Sequence, residues 1–141
     1  MAHAPLWTLD PTASLSTEQE RLLTNIRSLP TTAELHVARL SPDADSLLQL
    51  GSSVVLTVAP GRAVIAAGQD VTRRGPSDVS WSGAIENEFG HVSLVLTTIG
   101  VTGSLQSVAR ESLVHASYRI APLGGGLQAI SCVDPSRFPP D

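Results

Sequence analysis

From Val54 onward, apolar and polar side chains alternate along most of the sequence, and this period of two constrains the fold more than any other feature. Residues 54–58 and 92–96 each have an apolar residue at every second position, so these side chains share one face of a strand. Trp81 lies at the centre of a similar apolar face and is expected in the core. Glycine and proline separate these segments, as at Pro60 and Gly61. The pattern predicts a mainly β fold, either an antiparallel β-sandwich or a strongly curved sheet.

The N-terminal part of the sequence predicts one amphipathic helix over residues 17–29. Ser16 and Gln19 have the spacing of a capping box, and Pro30 ends the helix. Spacings of three and four place four apolar side chains on one face: Leu22, Leu23, Ile26 and Leu29. We expect an extended arm over residues 1–15, followed by a single β-rich domain over residues 16–141. A short helical turn is predicted after Pro42, and residues 69–78 are predicted as a loop or an edge strand.

Composition narrows the class of protein. The length of 141 residues fits one domain. The net charge of −4 does not fit the basic patch that nucleic-acid binding needs, so we expect no nucleic-acid partner. No apolar run approaches the roughly 18 residues of a membrane-spanning helix, so we expect no membrane partner. Cys132 is the single cysteine, which excludes an internal disulfide and a cysteine-rich zinc site within this chain.

Motifs of enzymes are missing from the sequence. The four histidines show no H-E-x-x-H spacing, and no G-x-S-x-G elbow is present. Glu86 and Glu88 flank a turn and are expected to be solvated. Three glycines at 124–126 join two strand-like segments, which predicts a hairpin rather than a phosphate-binding loop. We therefore expect no enzymatic activity and no cofactor, but a binding or regulatory module.

From residue 79 onward, short motifs follow one another in a characteristic order. They are W-S-G at 81–83, V-T-G-S-L at 101–105, Y-R-I at 118–120 and D-P-S-R-F-P-P at 134–140. This order resembles the N-terminal propeptide, the inhibitory prodomain, of bacterial secreted reprolysin-like (metzincin) zinc metalloproteases. The resemblance implies an inhibitory and chaperone module acting on a secreted zinc metalloendopeptidase, in the same precursor or a separate chain, and a secreted or periplasmic location. The alternative is a non-catalytic β-sandwich domain that binds a protein or ligand unrelated to proteolysis.

If the resemblance holds, the tail over residues 131–141 approaches the catalytic cleft of the protease. Its prolines favour an extended backbone, and a thiolate or carboxylate could displace the water on the open position of the protease zinc. Four residues are the candidates for contact with the partner: Cys132, Asp134, Phe138 and Asp141. Cys132 is the candidate zinc ligand, with Asp134 and Asp141 as alternatives and Phe138 as an apolar anchor. The competing interpretation is that Cys132 is buried and inert, because it shares a strand face with Ile130.

Overall fold

The computed structural model describes residues 4–86, 88–109 and 115–133, which form one ten-stranded sheet and two helices. The strands are β1 (Ala4–Pro5), β2 (Trp7–Leu9), β3 (Thr32–Leu40), β4 (Ser53–Ala59), β5 (Arg62–Gly75), β6 (Asp78–Ile85), β7 (Phe89–Thr97), β8 (Gly100–Val108), β9 (His115–Gly124) and β10 (Leu127–Val133). The helices are α1 (Thr17–Arg27) and α2 (Ala44–Leu47). The sheet curves into a nearly closed barrel, which confirms the predicted mainly β fold and selects the strongly curved sheet over the sandwich.

The N-terminal arm closes the barrel. The strand order is β1-β4-β5-β6-β7-β8-β9-β10-β3-β2, so β1 and β2 stand at opposite ends of the order although only Leu6 separates them in the chain. The N–H of Leu6 donates to the C=O of Val55 at 3.0 Å, and the C=O of Leu6 accepts from the N–H of Ser41 at 2.9 Å. The indole of Trp7 donates to the C=O of Thr57 at 2.7 Å. Residues 4–9 of the predicted arm are therefore extended and belong to the sheet.

Alternate side chains fill the barrel interior. Trp81 in β6 is 1% exposed, which confirms its predicted place in the core. Its indole donates to the C=O of Gln49 at 3.2 Å. Gly68 and Gly83 on the neighbouring surface make room for the ring, because a Cβ at Gly68 would lie 2.6 Å from the Trp81 Nε1. The Trp81 ring therefore fits because Gly68 and Gly83 have no side chain.

Helix α1 covers the outside of the sheet. Its capping box is present, with the N–H of Gln19 donating to Ser16 Oγ at 3.2 Å and the N–H of Ser16 donating to Gln19 Oε1 at 2.8 Å. The helix ends at Arg27, two residues before the predicted end. Its apolar face covers the outer face of β9, β10 and β3, in one cluster that contains Leu22, Leu23, Ile26, Leu35, Val37, Leu123, Leu127 and Ala129. No helix in the described ranges has the length and apolar character needed to cross a membrane.

Three other local predictions have clear outcomes. The predicted helical turn forms α2, and Leu48, the next residue in the chain, is fully buried. Residues 69–75, predicted as a loop or an edge strand, form the second half of β5, where they extend past the β4 ladder and pair with β6. The three glycines at 124–126 lie at the β9–β10 hairpin, as the sequence predicts, and each has a positive φ.

Candidate functional site

The strand register brings several chain segments together at one end of the barrel. Val133, the last residue of β10, lies opposite Thr32 of β3 and Ser117 of β9. The end of β8 lies opposite Phe89 and the beginning of β9 at this same end. The β4–β5 turn at residues 60–61 completes it. We call this region the Val133 end; it comprises residues 32–36, 60–62, 85–86, 88–89, 107–108, 115–118 and 132–133 of the described chain.

A polar cluster centred on Arg62 covers the core at the Val133 end. Arg62 Nε donates to Tyr118 Oη at 3.0 Å, while its Nη2 donates to Glu88 Oε2 at 3.4 Å and to Ser107 Oγ at 3.5 Å. Ser107 and Tyr118 are buried, and the Glu88 side chain is 14% exposed against 38% for Arg62. The cluster thus contains a paired arginine whose outer part is accessible to a partner.

The electrostatics of this cluster keep both central groups protonated at neutral pH. Burial opposes the charge on Arg62, but the hydrogen bond to Tyr118 and the charge of Glu88 outweigh burial, so the pKa of Arg62 is raised. Burial also raises the pKa of Tyr118, and Arg62 partly offsets that increase. Neither group is therefore a base at neutral pH, and the cluster is suited to hydrogen bonding and charge recognition.

Cys132 lies in β10, between Glu34 on β3 and Tyr118 on β9. It is partly buried and packs against the same core cluster as Ile130. Its predicted role as a ligand to the zinc of a partner stays a prediction. No group of three or more metal-ligating side chains occurs within the described ranges.

The other three predicted contact residues cannot be placed. Asp134, Phe138 and Asp141 lie outside the described residues, so their approach to a partner stays a prediction. What the structure gives is the starting point of the tail, because β10 ends at the Val133 end of the barrel.

Sequence reasoning missed the Arg62 cluster. Glu88 was expected to be a solvated turn residue, whereas it pairs with an arginine 26 positions away in the sequence. One signal was available: alternation along β5 places Arg62 on the same inward face as Val64 and Ala66. An inward-facing arginine at the beginning of a strand needs an acceptor or a carboxylate, which would have directed attention to Tyr118 and Glu88.

Comparisons with known proteins add a likeness of fold. No protein-family model matches the sequence, and no curated protein matches it. Among solved structures, the chain is similar to one chain in a structure of a chaperone–substrate complex, with a TM-score of 0.51 and 12% sequence identity over 79% of this chain and 86% of that chain. At this identity the likeness shows the fold alone.

Proposed function

We propose that this chain is a non-enzymatic, protein-binding domain that receives its partner at the Val133 end. The observation that carries the proposal is the position of Val133, where the tail starts, at the same end of the barrel as the Arg62 cluster and as Phe89, which is 53% exposed. An exposed aromatic residue and a partly accessible arginine at one end form a composition favoured at protein interfaces. The similar fold in a chaperone–substrate complex also supports a protein partner.

The filled interior supports recognition at the surface rather than storage of a small ligand. A β-barrel that holds a ligand needs a cavity between its strands. Here the middle of the barrel is occupied by large side chains with less than 2% exposure, among them Trp7, Trp81 and Leu56. The surface at the ends and edges of the sheet is therefore where we place the interaction.

We further propose that the partner is a secreted zinc metalloendopeptidase, which this domain helps to fold and inhibits outside the cytoplasm. The order of motifs from residue 79 supports this choice, together with the start of the tail at one end of the barrel. Because Cys132 is partly buried and packs against the core, we propose that a tail carboxylate, Asp134 or Asp141, approaches the zinc of the protease. A carboxylate at the open position would displace the catalytic water, and Phe138 would occupy an apolar part of the cleft.

The test uses the catalytic domain of a secreted reprolysin-like protease, assayed with a fluorogenic peptide. We expect the full chain to raise the yield of refolded enzyme and to inhibit the folded enzyme. A truncation after Val133 keeps β10 intact and should lose inhibition, whereas Cys132→Ser should inhibit like the wild type. Retained inhibition by the truncated chain would reject the tail, and loss of inhibition in Cys132→Ser would return the zinc contact to the thiol. A full chain that neither binds nor inhibits such enzymes would reject the protease as partner.

A further inference from the structure

Strand β3 is paired along one side but only along part of the other. On one side β10 pairs with it from Thr32 to Arg39. On the other side β2 pairs only with residues 38–40, and the last contact is the N–H of Asp10 donating to the C=O of Val37 at 2.8 Å. Among the described residues, no strand continues this second side over residues 32–36.

The backbone of this open edge is directed toward solvent. Because the C=O of Val37 faces the arm, alternation directs the N–H and C=O groups of Leu35 to the same side. The ladder between β3 and β10 is irregular between Glu34 and Thr32, so the alternation does not continue regularly past Glu34. Unpaired edge groups of this kind are a template for another extended chain.

A groove of about 280 Å³ runs beside the open edge. Its apolar lining includes Leu9, Leu15, Leu23, Leu35, Val37 and Pro60. Of the polar groups at its rim, Asp10 pairs with Arg39 at 3.1 Å, and His36 Nε2 lies 3.3 Å from Glu34 Oε2. Arg27 also lines the groove, and it has no carboxylate partner within the described part of the chain. The groove is therefore apolar with one cation available for an incoming anion.

We propose that an extended segment of the partner protein adds to this edge as a strand, with apolar side chains in the groove and a carboxylate opposite Arg27. The inference rests on the proposed function, since it names the surface by which the domain would hold its partner. The unpaired backbone groups require an extended main chain, and the charge of Arg27 selects an acidic segment. In strand addition, main-chain hydrogen bonds supply affinity and side-chain pockets supply specificity. The open edge is short, so a single segment should bind weakly.

The test follows the amide resonances of the ¹⁵N-labelled full chain during titration with the peptide acetyl-TVDVT-amide. We expect shifts and slower hydrogen exchange at Leu35, with binding about two- to fivefold weaker for acetyl-TVKVT-amide, the range of an exposed ion pair. A peptide N-methylated at alternate backbone nitrogens should not bind. Leu35→Pro, which removes the edge donor, should abolish binding, while Leu35→Ile keeps the donor and an apolar side chain and should bind normally. Arg27→Gln should weaken the acidic peptide, and Arg21→Gln on the same helix should not.

Shifts confined to another surface, or equal binding of the N-methylated peptide, would overturn strand addition, and so would an unchanged Leu35 resonance at millimolar peptide. The peptide comparison does not depend on how the variants fold. The protease assay reports separately on the proposed function: normal inhibition by Leu35→Pro would reject the edge as the site that binds the partner but leave the function standing. Peptide binding at the edge without any effect on the protease would reject the protease alone.

Discussion

Replacement of Trp7 by alanine tests whether the N-terminal arm is part of the folded domain. Trp7 is 1% exposed and its indole is bonded to Thr57 across the barrel closure. Truncating a buried aromatic side chain costs about 3–5 kcal/mol, because transfer energy is lost and a cavity remains. Domains of this size have an unfolding free energy of roughly 5–15 kcal/mol, so Trp7→Ala should remove a large fraction of it.

The assay is urea unfolding followed by far-UV circular dichroism, since the substitution removes one of the two tryptophans that fluorescence would report. With an m-value of about 2 kcal/mol/M, the unfolding midpoint should fall by about 1.5–2.5 M. Trp7→Phe keeps most of the packing but loses the hydrogen bond to Thr57, and should cost about 1–3 kcal/mol. Thr8→Ala is the matched control, because Thr8 is exposed on the same strand and should change stability by less than about 0.5 kcal/mol. If Trp7→Ala unfolds at the same urea concentration as Thr8→Ala, the arm does not close the barrel.

Three further outcomes follow from single sites. Trp81→Ala should also cost about 3–5 kcal/mol, and a melting temperature within a degree or two of the wild type would show that the ring is not in the core. Gly100→Ala should lower the free energy of unfolding by at least about 2 kcal/mol, because φ is +134° and a Cβ would clash with the Gln128 side chain. That side chain is hydrogen-bonded to the N–H and C=O of Val101, so the clash would disturb both bonds. Gly61→Ala is the control in the same urea assay: it also has a positive φ but lies in open space, and should cost about 1 kcal/mol. Tyr118 is the single tyrosine, so absorbance at high pH reports its ionisation directly: its pKa should lie above the ordinary value, rise further in Arg62→Gln, and lie at the ordinary value in the urea-unfolded chain.

The direction of the Tyr118 pKa also sets the dependence of stability on pH. In the folded chain the pKa is raised, so the unfolded chain loses the phenol proton first as pH rises. The contribution of Tyr118 is therefore fully present below the unfolded pKa of about 10 and is lost as pH rises through that value toward the folded pKa. Urea midpoints measured at pH 8 and pH 11 should differ more for the wild type than for Tyr118→Phe. Equal differences in both proteins would show that burial of the phenol has no effect on its ionisation.

Features that depend on neighbouring residues were predictable from the sequence, and those that depend on distant pairs were not. Alternation predicted the strands, and the spacing of Ser16 and Gln19 predicted the beginning of α1, because both are decided within a few residues. Closure of the barrel depends on Trp7 reaching a strand 50 positions away, and the polar cluster depends on Arg62 reaching Tyr118 at a separation of 56. Alternation along β5 places Arg62 on the inward face, but no local pattern names the distant partner in either pairing. Of the predicted contact residues, only Cys132 lies in the described chain, and its position at the Val133 end is what connects the sequence hypothesis to the structure.

The length of the open β3 edge is decided by Asp10 and Pro11. Asp10 makes the last backbone contact with β3, and its C=O then accepts from the N–H of Ala13 at 3.3 Å. Aspartate followed by proline favours a tight turn, because the proline ring fixes φ and supplies no N–H for a ladder. The arm therefore pairs with residues 38–40 of β3 and leaves residues 32–36 of the same strand without a neighbour beside the groove. A chain without this turn could continue the β2–β3 ladder to Thr32 and bury the edge. The turn at Asp10 and Pro11 thus ends the β2–β3 ladder and leaves an accessible strand edge at the Val133 end.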